Sequence, residues 1–381
     1  MPIDQPVRQV TTPAGDPAWQ VTGYQRVKAL LGDPRLGRSH PDPQRAARCS
    51  ESVIFGQASG SPVDEDAGHA WMRKLLTPAF SARRMAQLRP RVLELAEGLL
   101  DELATQKPPM DFHELVSFPL PVLVICELLG VPYQDRDDFR RWSEEVADMT
   151  DGERSRACLG RLREYMAVLL DRKRREPAED VISDLARAQQ QLQGMFQDDD
   201  VTSLAAGLLF AGHETTVAAI DRGVALLFSN PAQRDALAGD PGLVPAAVEE
   251  ILRSPDPVPA QRHGHEGYGL PRWTKADIEI EGVTIPSGGL VLLSLGDANL
   301  DERVFAAPLS FDVSRAANPH LTFGHGPHFC IGAPLARVEL QTLFGLLFQR
   351  FPSLRLAVPV ESLRPRTGRL TGGLTALPVE W

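Results

Sequence analysis

The feature that most constrains the fold is a long apolar stretch with helical character over residues 202–228. Its first half, residues 204–210, reads LAAGLLF and has no polar side chain on any side. A helix that is apolar all round is buried, so other elements must surround it. Acidic residues precede it, as the positive end of a helix dipole favours. The chain has 381 residues, 43% of them hydrophobic, which is enough for a sizeable core.

Apolar periodicity predicts further helices across residues 80–260. Leu and Val recur at helical spacing over residues 84–104, and residues 153–175 and 179–191 behave alike. Between Asp277 and Leu295 β-branched residues stand among glycine and proline, which predicts short strands joined by turns. We predict a mainly α fold with a small β part (α+β). We expect one domain over residues 1–381, with its strands around 276–295 and at the termini.

Charge and cysteine content exclude some classes of function. The 40 basic and 50 acidic residues give a formal charge of −10, which argues against a nucleic-acid partner. Four widely spaced cysteines form no CxxC pair and no dense disulfide framework. The first residues lack a signal-peptide pattern, and no run of 18 apolar residues predicts a spanning helix. We therefore expect a cytoplasmic protein without a membrane partner.

Residues 323–332 read FGHGPHFCIG and carry the strongest chemical signal. A cysteine binds iron only as thiolate and needs help to stay one. Glycines on both sides of Cys330 allow a tight turn that brings backbone N–H groups to the sulfur, where hydrogen bonds tune an iron's potential. Two alternatives are a buried structural cysteine and a zinc site with His325 and His328. The zinc site lacks a second Cys/His pair at ordinary spacing.

This string resembles the haem-binding signature of the cytochrome P450 family, with Cys330 at the position of the iron ligand. The resemblance covers nearly the whole chain from about Gly23. It implies haem b (iron protoporphyrin IX), bound between the long buried helix and the cysteine loop. It places Phe323, His328 and Gly332 beside the cofactor. Soluble members usually have a longer N-terminal stretch that forms an entry strand and helix. The sequence therefore does not define the edge of the sheet here.

Residues 211–216, AGHETT, resemble the family's Ala/Gly-Gly-x-Asp/Glu-Thr motif on the distal side of the haem. Ala211 would contact the cofactor, and Gly212 would let oxygen approach the backbone. Glu214 and Thr215 are an acid and an alcohol in an expected buried setting, where they could deliver the protons that O–O cleavage needs. Alternatively, Thr215 bonds only to a helix carbonyl and Glu214 only to a cation. Beside the cysteine signature we favour the catalytic interpretation.

A third motif is Glu-x-x-Arg, formed by Glu250 and Arg253 at i,i+3 on one helix face. By itself this pattern is common, and a solvated ion pair would explain it. The resemblance implies a buried pair completed by an arginine before the cysteine, a position that Arg315 matches. The implied role is structural.

Haem carries two propionates, which need cationic donors. The resemblance assigns His69 and Arg73, at i,i+4 on one helix face, together with His328. A further arginine is expected at the entry to the strands. Arg262 matches by its distance from the Glu-x-x-Arg motif and Arg272 by its distance to the strand, and we favour Arg272. A solvated loop arginine would explain either.

The function implied by the resemblance is a haem-thiolate monooxygenase that inserts one atom of O2 into a C–H or C=C bond. A secondary metabolite such as a polyketide or macrolide is the expected substrate, contacting residues 38–66, 208–211, 258–262 and 373–377. A peroxide-using hydroxylase and a haem-based sensor or carrier are the alternatives. Electrons must come from a separate ferredoxin or flavodoxin and its reductase. Candidate docking charges are Lys74, Arg83, Arg84 and Arg337, with plain surface charge as the alternative.

Overall fold

The computed structural model describes residues 5–54, 56–58, 60, 62–146, 148, 150–191, 197–258, 269–368 and 372–381. Contacts divide the chain into two compact units. The sheet unit comprises Met1–Trp71, Met149–Gly152 and Ser229–Cys330, and the helical unit Met72–Asp148, Glu153–Phe228 and Ile331–Trp381. Helices dominate and strands are short, which confirms the predicted mainly α fold with a small β part. The single domain stays a prediction.

The sheet unit is built on a mixed sheet with strand order β1-β2-β8-β5-β3 and a separate β6–β7 hairpin. Strand β1 pairs antiparallel with β2, and β2 runs parallel to β8. Val7–Thr11 thus forms the edge of the sheet, which the sequence did not define. The elements are β1 (Val7–Thr11), β2 (Pro17–Val21), α1 (Tyr24–Leu31), β3 (Leu36–Gly37), α9 (Pro231–Gly239), α10 (Val244–Arg253), β5 (Leu270–Thr274), β6 (Ile278–Ile280), β7 (Val283–Ile285), β8 (Leu290–Leu293) and α11 (Leu295–Ala298).

The strands predicted between Asp277 and Leu295 are present as β6, β7 and β8. Ile280 and Val283 pair across a two-residue turn. Glu281 and Gly282 have φ values of 51° and 82°, so glycine at the second position relieves the strain of a turn with two left-handed residues.

In the helical unit, the described residues form the longest helix, α8 (Asp198–Ser229), six other helices and a small sheet of order β4-β10-β9. The helices predicted over residues 84–104, 153–175, 179–191 and 202–228 are all present. The elements are α3 (Ala82–Ala104), β4 (Met110–Asp111), α4 (Pro119–Leu129), α5 (Arg136–Val146), α6 (Gly152–Arg175), α7 (Val181–Gln191), α8 (Asp198–Ser229), α12 (Ala333–Arg350), β9 (Arg355–Leu356) and β10 (Pro378–Glu380). Helix α2 (Pro62–Leu76) has residues in both units.

Helix α8 is not buried on every side, so that prediction is wrong. Leu204, Gly207 and Leu208 are half-buried, while Ala211 and Thr215 are exposed. These positions follow the i,i+3/i+4 spacing of one helix face. The face is made of apolar and small residues like the buried one, so composition could not distinguish the two.

Helix α8 is long and apolar enough to cross a membrane, and it is the one such helix among the described residues. In its most apolar stretch, 56% of the helix is buried inside the protein, as is common for the core helix of a globular protein.

Helix α4 ends at Gly130, which adopts the left-handed conformation with φ 81° and so forms a glycine C-cap. A Cβ built at this position would overlap the Asp180 carboxylate. Asp180 in turn forms a buried ion pair with Lys173. The turn therefore requires glycine for two reasons: its backbone is left-handed, and a side chain would overlap Asp180.

Gly130→Ala should lower stability by at least ~1–2 kcal/mol, because a left-handed residue with a Cβ is strained and the Lys173–Asp180 pair must move. Gly160→Ala is the matched control. Gly160 lies inside α6, and a Cβ there meets nothing within 4 Å, so alanine should stabilise by about 0.5–1 kcal/mol. Denaturant unfolding of both variants checks this, and equal effects would contradict the assignment.

Candidate active site

The loop before Cys330 is shaped by two glycines with left-handed backbone. Gly324 and Gly326 both have φ 72°. A Cβ at Gly326 would lie 3.0 Å from Cα of Gly32. The loop closes through a hydrogen bond of 2.8 Å from the Cys330 N–H to the Phe323 carbonyl. The tight turn before the cysteine is therefore confirmed, whereas Gly332 on the other side has ordinary helical φ of −79°.

The four cysteines differ sharply in environment. Cys49, Cys126 and Cys158 are buried free thiols, and Cys330 is an exposed one. Burial raises the pKa of Cys49 and Cys158 to about 11 and that of Cys126 to about 12, so these three stay protonated at neutral pH. An iron ligand must be an accessible thiolate, and by exposure Cys330 is the one suited to that role.

The zinc alternative gains no support from the described part of the chain. Within it, no group of three or more His, Cys, Asp or Glu side chains is arranged to hold a metal ion. His325, His328 and Cys330 are all described and do not form such a group. The buried structural cysteine also fits poorly, because Cys330 is exposed.

Three of the residues predicted to hold the propionates, His69, His328 and Arg272, come together in the sheet unit. The rings of His69 and His328 lie 4.0 Å apart. Arg272 is 7% exposed on β5, and its guanidinium donates to the Pro271 carbonyl at 2.8 Å. Arg73 is half-buried one turn after His69 on α2. Arg262, the alternative to Arg272, lies outside the described residues.

Several basic side chains lie close together at this place. Burial, followed by repulsion from His69, Arg272 and Arg38, lowers the pKa of His328 to about 4. Burial and the charge of Arg38 lower the pKa of Arg272 to about 10. A nearby acid, Glu65, accepts hydrogen bonds from the Arg38 and Ser39 backbone at 2.6 and 3.3 Å. A group with two carboxylates would relieve this repulsion, so these residues fit haem.

Arg38 and Glu65 are members of this cluster that sequence reasoning did not assign to it. Arg38 is exposed at the surface, and desolvation by the surrounding protein lowers the pKa of its guanidinium. Burial would raise the pKa of Glu65, but hydrogen bonds from Ser39 and the Arg38 backbone lower it overall. Nothing in the local sequence marks either residue, because β3 and α2 bring them together through tertiary packing.

The Glu-x-x-Arg interpretation is confirmed. Arg253 binds Glu250 in a two-pronged ion pair at 2.7 and 2.8 Å, and both side chains are fully buried. Arg315 completes the cluster at 3.0 Å from Glu250 Oε2. Asn318 and the Asp312 N–H also donate to this carboxylate, at 3.0 and 3.1 Å. The carboxylate is thus satisfied, which a buried charge requires.

This cluster connects to the cysteine loop through Asn299. Arg253 donates to the Asn299 carbonyl at 3.1 Å. The Asn299 side chain accepts from the Leu321 N–H at 2.7 Å and donates to Thr322 at 2.9 Å. Leu321 in turn accepts from the Gly324 N–H at 2.7 Å. The ion pair therefore positions the backbone where the cysteine loop begins.

On α8, Glu214 and Thr215 point in different directions. Glu214 is 3% exposed, whereas Thr215 lies on the exposed face and donates to the Ala211 carbonyl at 2.9 Å. The expected common buried setting is wrong, because adjacent helix residues do not face each other. The bond to Ala211 is the one expected of any mid-helix threonine. What distinguishes Thr215 is its exposure.

Gly212 has a packing role, and its expected role in oxygen access stays a prediction. A Cβ at this position would lie 2.7 Å from Cδ1 of Ile125 on α4, so a larger residue would require the Ile125 side chain to shift. The exposed face of α8 instead carries Gly207, Ala211 and Thr215. These small side chains leave room for a flat group.

Comparisons with known proteins agree with these features. The family model described as cytochrome P450 matches residues 242–366. Pentalenolactone synthase of Streptomyces exfoliatus is 42% identical over 379 residues, 98% of this chain and 92% of that protein. Mycinamicin IV hydroxylase/epoxidase of Micromonospora griseorubida is 41% identical over 380 residues, 99% and 93% of the two chains. The solved structure of substrate-free cytochrome P450 PimD, a polyene macrolide antibiotic pimaricin epoxidase, gives a TM-score of 0.86 at 42% identity, covering 99% and 93%.

Glu250→Ala should yield folded protein with little haem, because Arg253 is left buried without its counter-ion at a cost of ~3–5 kcal/mol. Arg253→Ala should behave alike. The adjacent Glu249→Ala is the control, since Glu249 is 24% exposed and pairs with His320, a contact worth about 1 kcal/mol or less. Haem absorbance per protein and thermal unfolding measure both effects. Normal haem content in Glu250→Ala would contradict the assigned role.

Proposed function

Because this chain belongs to the cytochrome P450 family, we propose that it oxidises a natural product of polyketide or macrolide type at a C–H or C=C bond. The chain is a cytochrome P450 monooxygenase, and the family uses haem b, an organic substrate, O2 and redox partners. Support for the substrate class comes from relatives matched along nearly the whole chain, among them one named as a mycinamicin IV hydroxylase/epoxidase.

We propose that Cys330 is the iron ligand and that the cation cluster, formed by Arg38, His69, Arg272 and His328, holds the propionates. The exposure of Cys330 among buried, protonated thiols supports the first assignment. The electrostatic repulsion among His328, Arg272 and Arg38 supports the second. Ala211, Phe323, Gly332 and the His69–Arg73 pair are the other proposed haem contacts. When bound, haem supplies the iron that activates O2, and its thiolate ligand favours O–O cleavage.

Glu214 and Thr215 are proposed to move the protons of the reaction. The Thr215 hydroxyl is accessible, and its bond to the Ala211 carbonyl orients the side chain. To deliver its single proton from Oγ1, the hydroxyl would rotate away from that carbonyl. Glu214 is buried one residue earlier and would return a proton to the hydroxyl through side-chain motion or water. Positioned acids of this kind contribute typically 10²–10⁴-fold to a rate.

Two other haem functions fit the residues less well. A peroxide-using hydroxylase of this family would carry an arginine–proline arrangement that binds a substrate carboxylate, where this chain has Glu214–Thr215. A sensor or carrier without turnover would have no use for a proton-delivering pair. An acid and an exposed alcohol on α8 therefore favour O2-dependent turnover.

A separate ferredoxin or flavodoxin, with its reductase, is the proposed electron source, and the cytoplasm is the proposed compartment. Lys74 and Arg83 are exposed and Arg337 is half-buried in the helical unit. Arg84 donates to the Glu179 carbonyl and is partly engaged within the fold. Exposed basic side chains suit the acidic surface of such partners, so Lys74 and Arg83 are the stronger docking candidates.

The proposed substrate contacts are described only in part. Residues 259–262 lie outside the described residues, as do three positions within 38–66. In the sheet unit a cavity of about 130 Å³ is lined by Arg38, Val53, Ile54, Gln57 and Trp273.

The first test is the absorption difference spectrum of the dithionite-reduced protein with and without carbon monoxide. A Soret band at the red-shifted position characteristic of thiolate ligation is expected for the native chain. Cys330→His should move the band to the position typical of histidine-ligated haem, and Cys126→Ser, which changes a buried thiol, should leave it unchanged. A histidine-type band in the native protein would contradict the proposed ligand.

Thr215→Ala should lower product formed per electron consumed by about 10-fold or more, because proton delivery is impaired. Thr216→Ala is the matched control: Thr216 is 4% exposed and makes the same type of bond, to the Gly212 carbonyl at 3.2 Å. A mycinamicin can serve as the trial substrate, with electron consumption and product followed together. Equal losses in both variants would assign Thr215 a structural role only.

A further inference from the structure

A buried ion pair in the helical unit takes no part in the site described above. His113 Nδ1 lies 2.7 Å from Asp221 Oδ2, and the two side chains are 3% and 0% exposed. His113 stands in a π-helical turn, His113–Ser117, and Asp221 on α8. Buried pairs are often no more stable than apolar residues of the same volume, so stability alone does not account for this one.

Asp221 also holds the chain segment near the C-terminus. Its Oδ2 accepts from the Leu374 N–H at 3.4 Å. The preceding Gly373 has φ 94°, and a Cβ there would lie 3.8 Å from Cβ of Ala218 and 3.9 Å from Asp221 Oδ2. Residues 373 and 374 therefore lie directly on α8, beside Ala218, which is one helical turn after Thr215.

A second anchor holds the other end of this segment. Asp111 Oδ1 accepts from the Leu377 N–H at 2.8 Å and from the His113 N–H at 3.0 Å. The Phe112 N–H donates to the Leu377 carbonyl at 2.9 Å. Hydrogen bonds between Arg366 and Gly373 and between Thr375 and Arg364, both 2.9 Å, join the segment into a hairpin. His113 thus contacts both carboxylates that tie the hairpin down.

Charged groups on α8, on β4 and on the C-terminal hairpin act on His113. Burial disfavours its protonated form, but the hydrogen bond and charge of Asp221 outweigh this, and Asp111 adds to them, while Arg366 of the hairpin opposes them. The pKa of His113 is raised overall. The imidazolium form strengthens its bond to Asp221, since charge-assisted hydrogen bonds are about twice as strong as neutral ones.

We propose that His113 and Asp221 are positioning residues that fix residues 373–377 against α8 and thereby set the shape of the substrate pocket. This rests on the proposed function in one respect, namely that residues 373–377 contact the substrate. Without the pair, Asp221 cannot be held toward the Leu374 N–H. The hairpin would then keep only the Asp111 anchor and move at its Gly373 end.

The test uses Asp221→Asn in the full-length haem-loaded enzyme, with two readouts. Hydrogen–deuterium exchange of peptides covering residues 372–377 should accelerate by about tenfold or more, as local opening becomes easier. The second readout is the dissociation constant of imidazole and that of the bulky azole clotrimazole, each read from the Soret shift. The ratio of the two constants should change by about tenfold, the size expected when one pocket wall is altered. Imidazole itself should bind nearly as before.

Asp180→Asn is the matched control, because it breaks the Lys173–Asp180 pair, which is buried in the same unit. Within the described part of the chain, no hydrogen bond or ion pair joins this pair to the hairpin. His113→Gln is the second variant if Asp221→Asn does not fold. It keeps an N–H donor toward Asp221 and should accelerate exchange less. The double variant His113→Gln/Asp221→Asn should show less than the sum of the single effects.

Faster hairpin exchange and an altered azole ratio in Asp221→Asn, both absent from Asp180→Asn, would support the proposal. Unchanged exchange in both pair variants would overturn it, as would equal acceleration in Asp180→Asn, which indicates general destabilisation. Faster exchange with an unchanged azole ratio would overturn the part of the proposal that concerns the shape of the substrate pocket. It would show that the pair holds the hairpin but that residues 373–377 do not line the pocket, so the proposed substrate contacts fail there.

Discussion

The sheet unit depends on the buried carboxylate of Glu250. Removing a charge from water is costly, and the cost is recovered only where all lone pairs are satisfied. Arg253, Arg315 and Asn318 supply those donors. Once Arg253 is fixed, its remaining N–H groups hold the carbonyls of Asn299 and Pro308. The ion pair thereby becomes the fixed point from which the cysteine loop is built.

The electrostatics of the cation cluster differ from those of the Glu250 ion pair. The charge on Glu250 is balanced by its bound donors, whereas Arg38, His69 and Arg272 are cations close to one another and to His328. Burial is the main cause of the low pKa of His328 and the depressed pKa of Arg272, and the second cause is repulsion from neighbouring cations. Folding tolerates it at a cost in stability, as sites for anionic groups commonly require. A ligand carrying two carboxylates would recover that cost on binding.

The two faces of helix α8 have different roles. Its buried face carries Glu214 and Asp221, two acids whose burial needs local compensation, and Gly212, which admits Ile125 of α4. Its exposed face carries Ala211 and Thr215, which are small. The helix can therefore pack as a core element and still present a surface for chemistry. The His113–Asp221 pair extends this arrangement by joining the buried face to the C-terminal hairpin.

The sequence by itself determined the class of fold, the helices over residues 84–104, 153–175, 179–191 and 202–228, the strands after Asp277 and the two arginine partners of Glu250. These follow from periodicity and from motifs in which every member is close in sequence or fixed by resemblance. Tertiary structure alone decided that Thr215 is exposed beside a buried Glu214, that Gly212 serves packing, and that Arg38 and Glu65 join the cation cluster. It also paired His113 with Asp221, 108 positions apart. Such facts depend on which face of an element meets its neighbour, and residue types and spacing along the chain do not encode that choice locally.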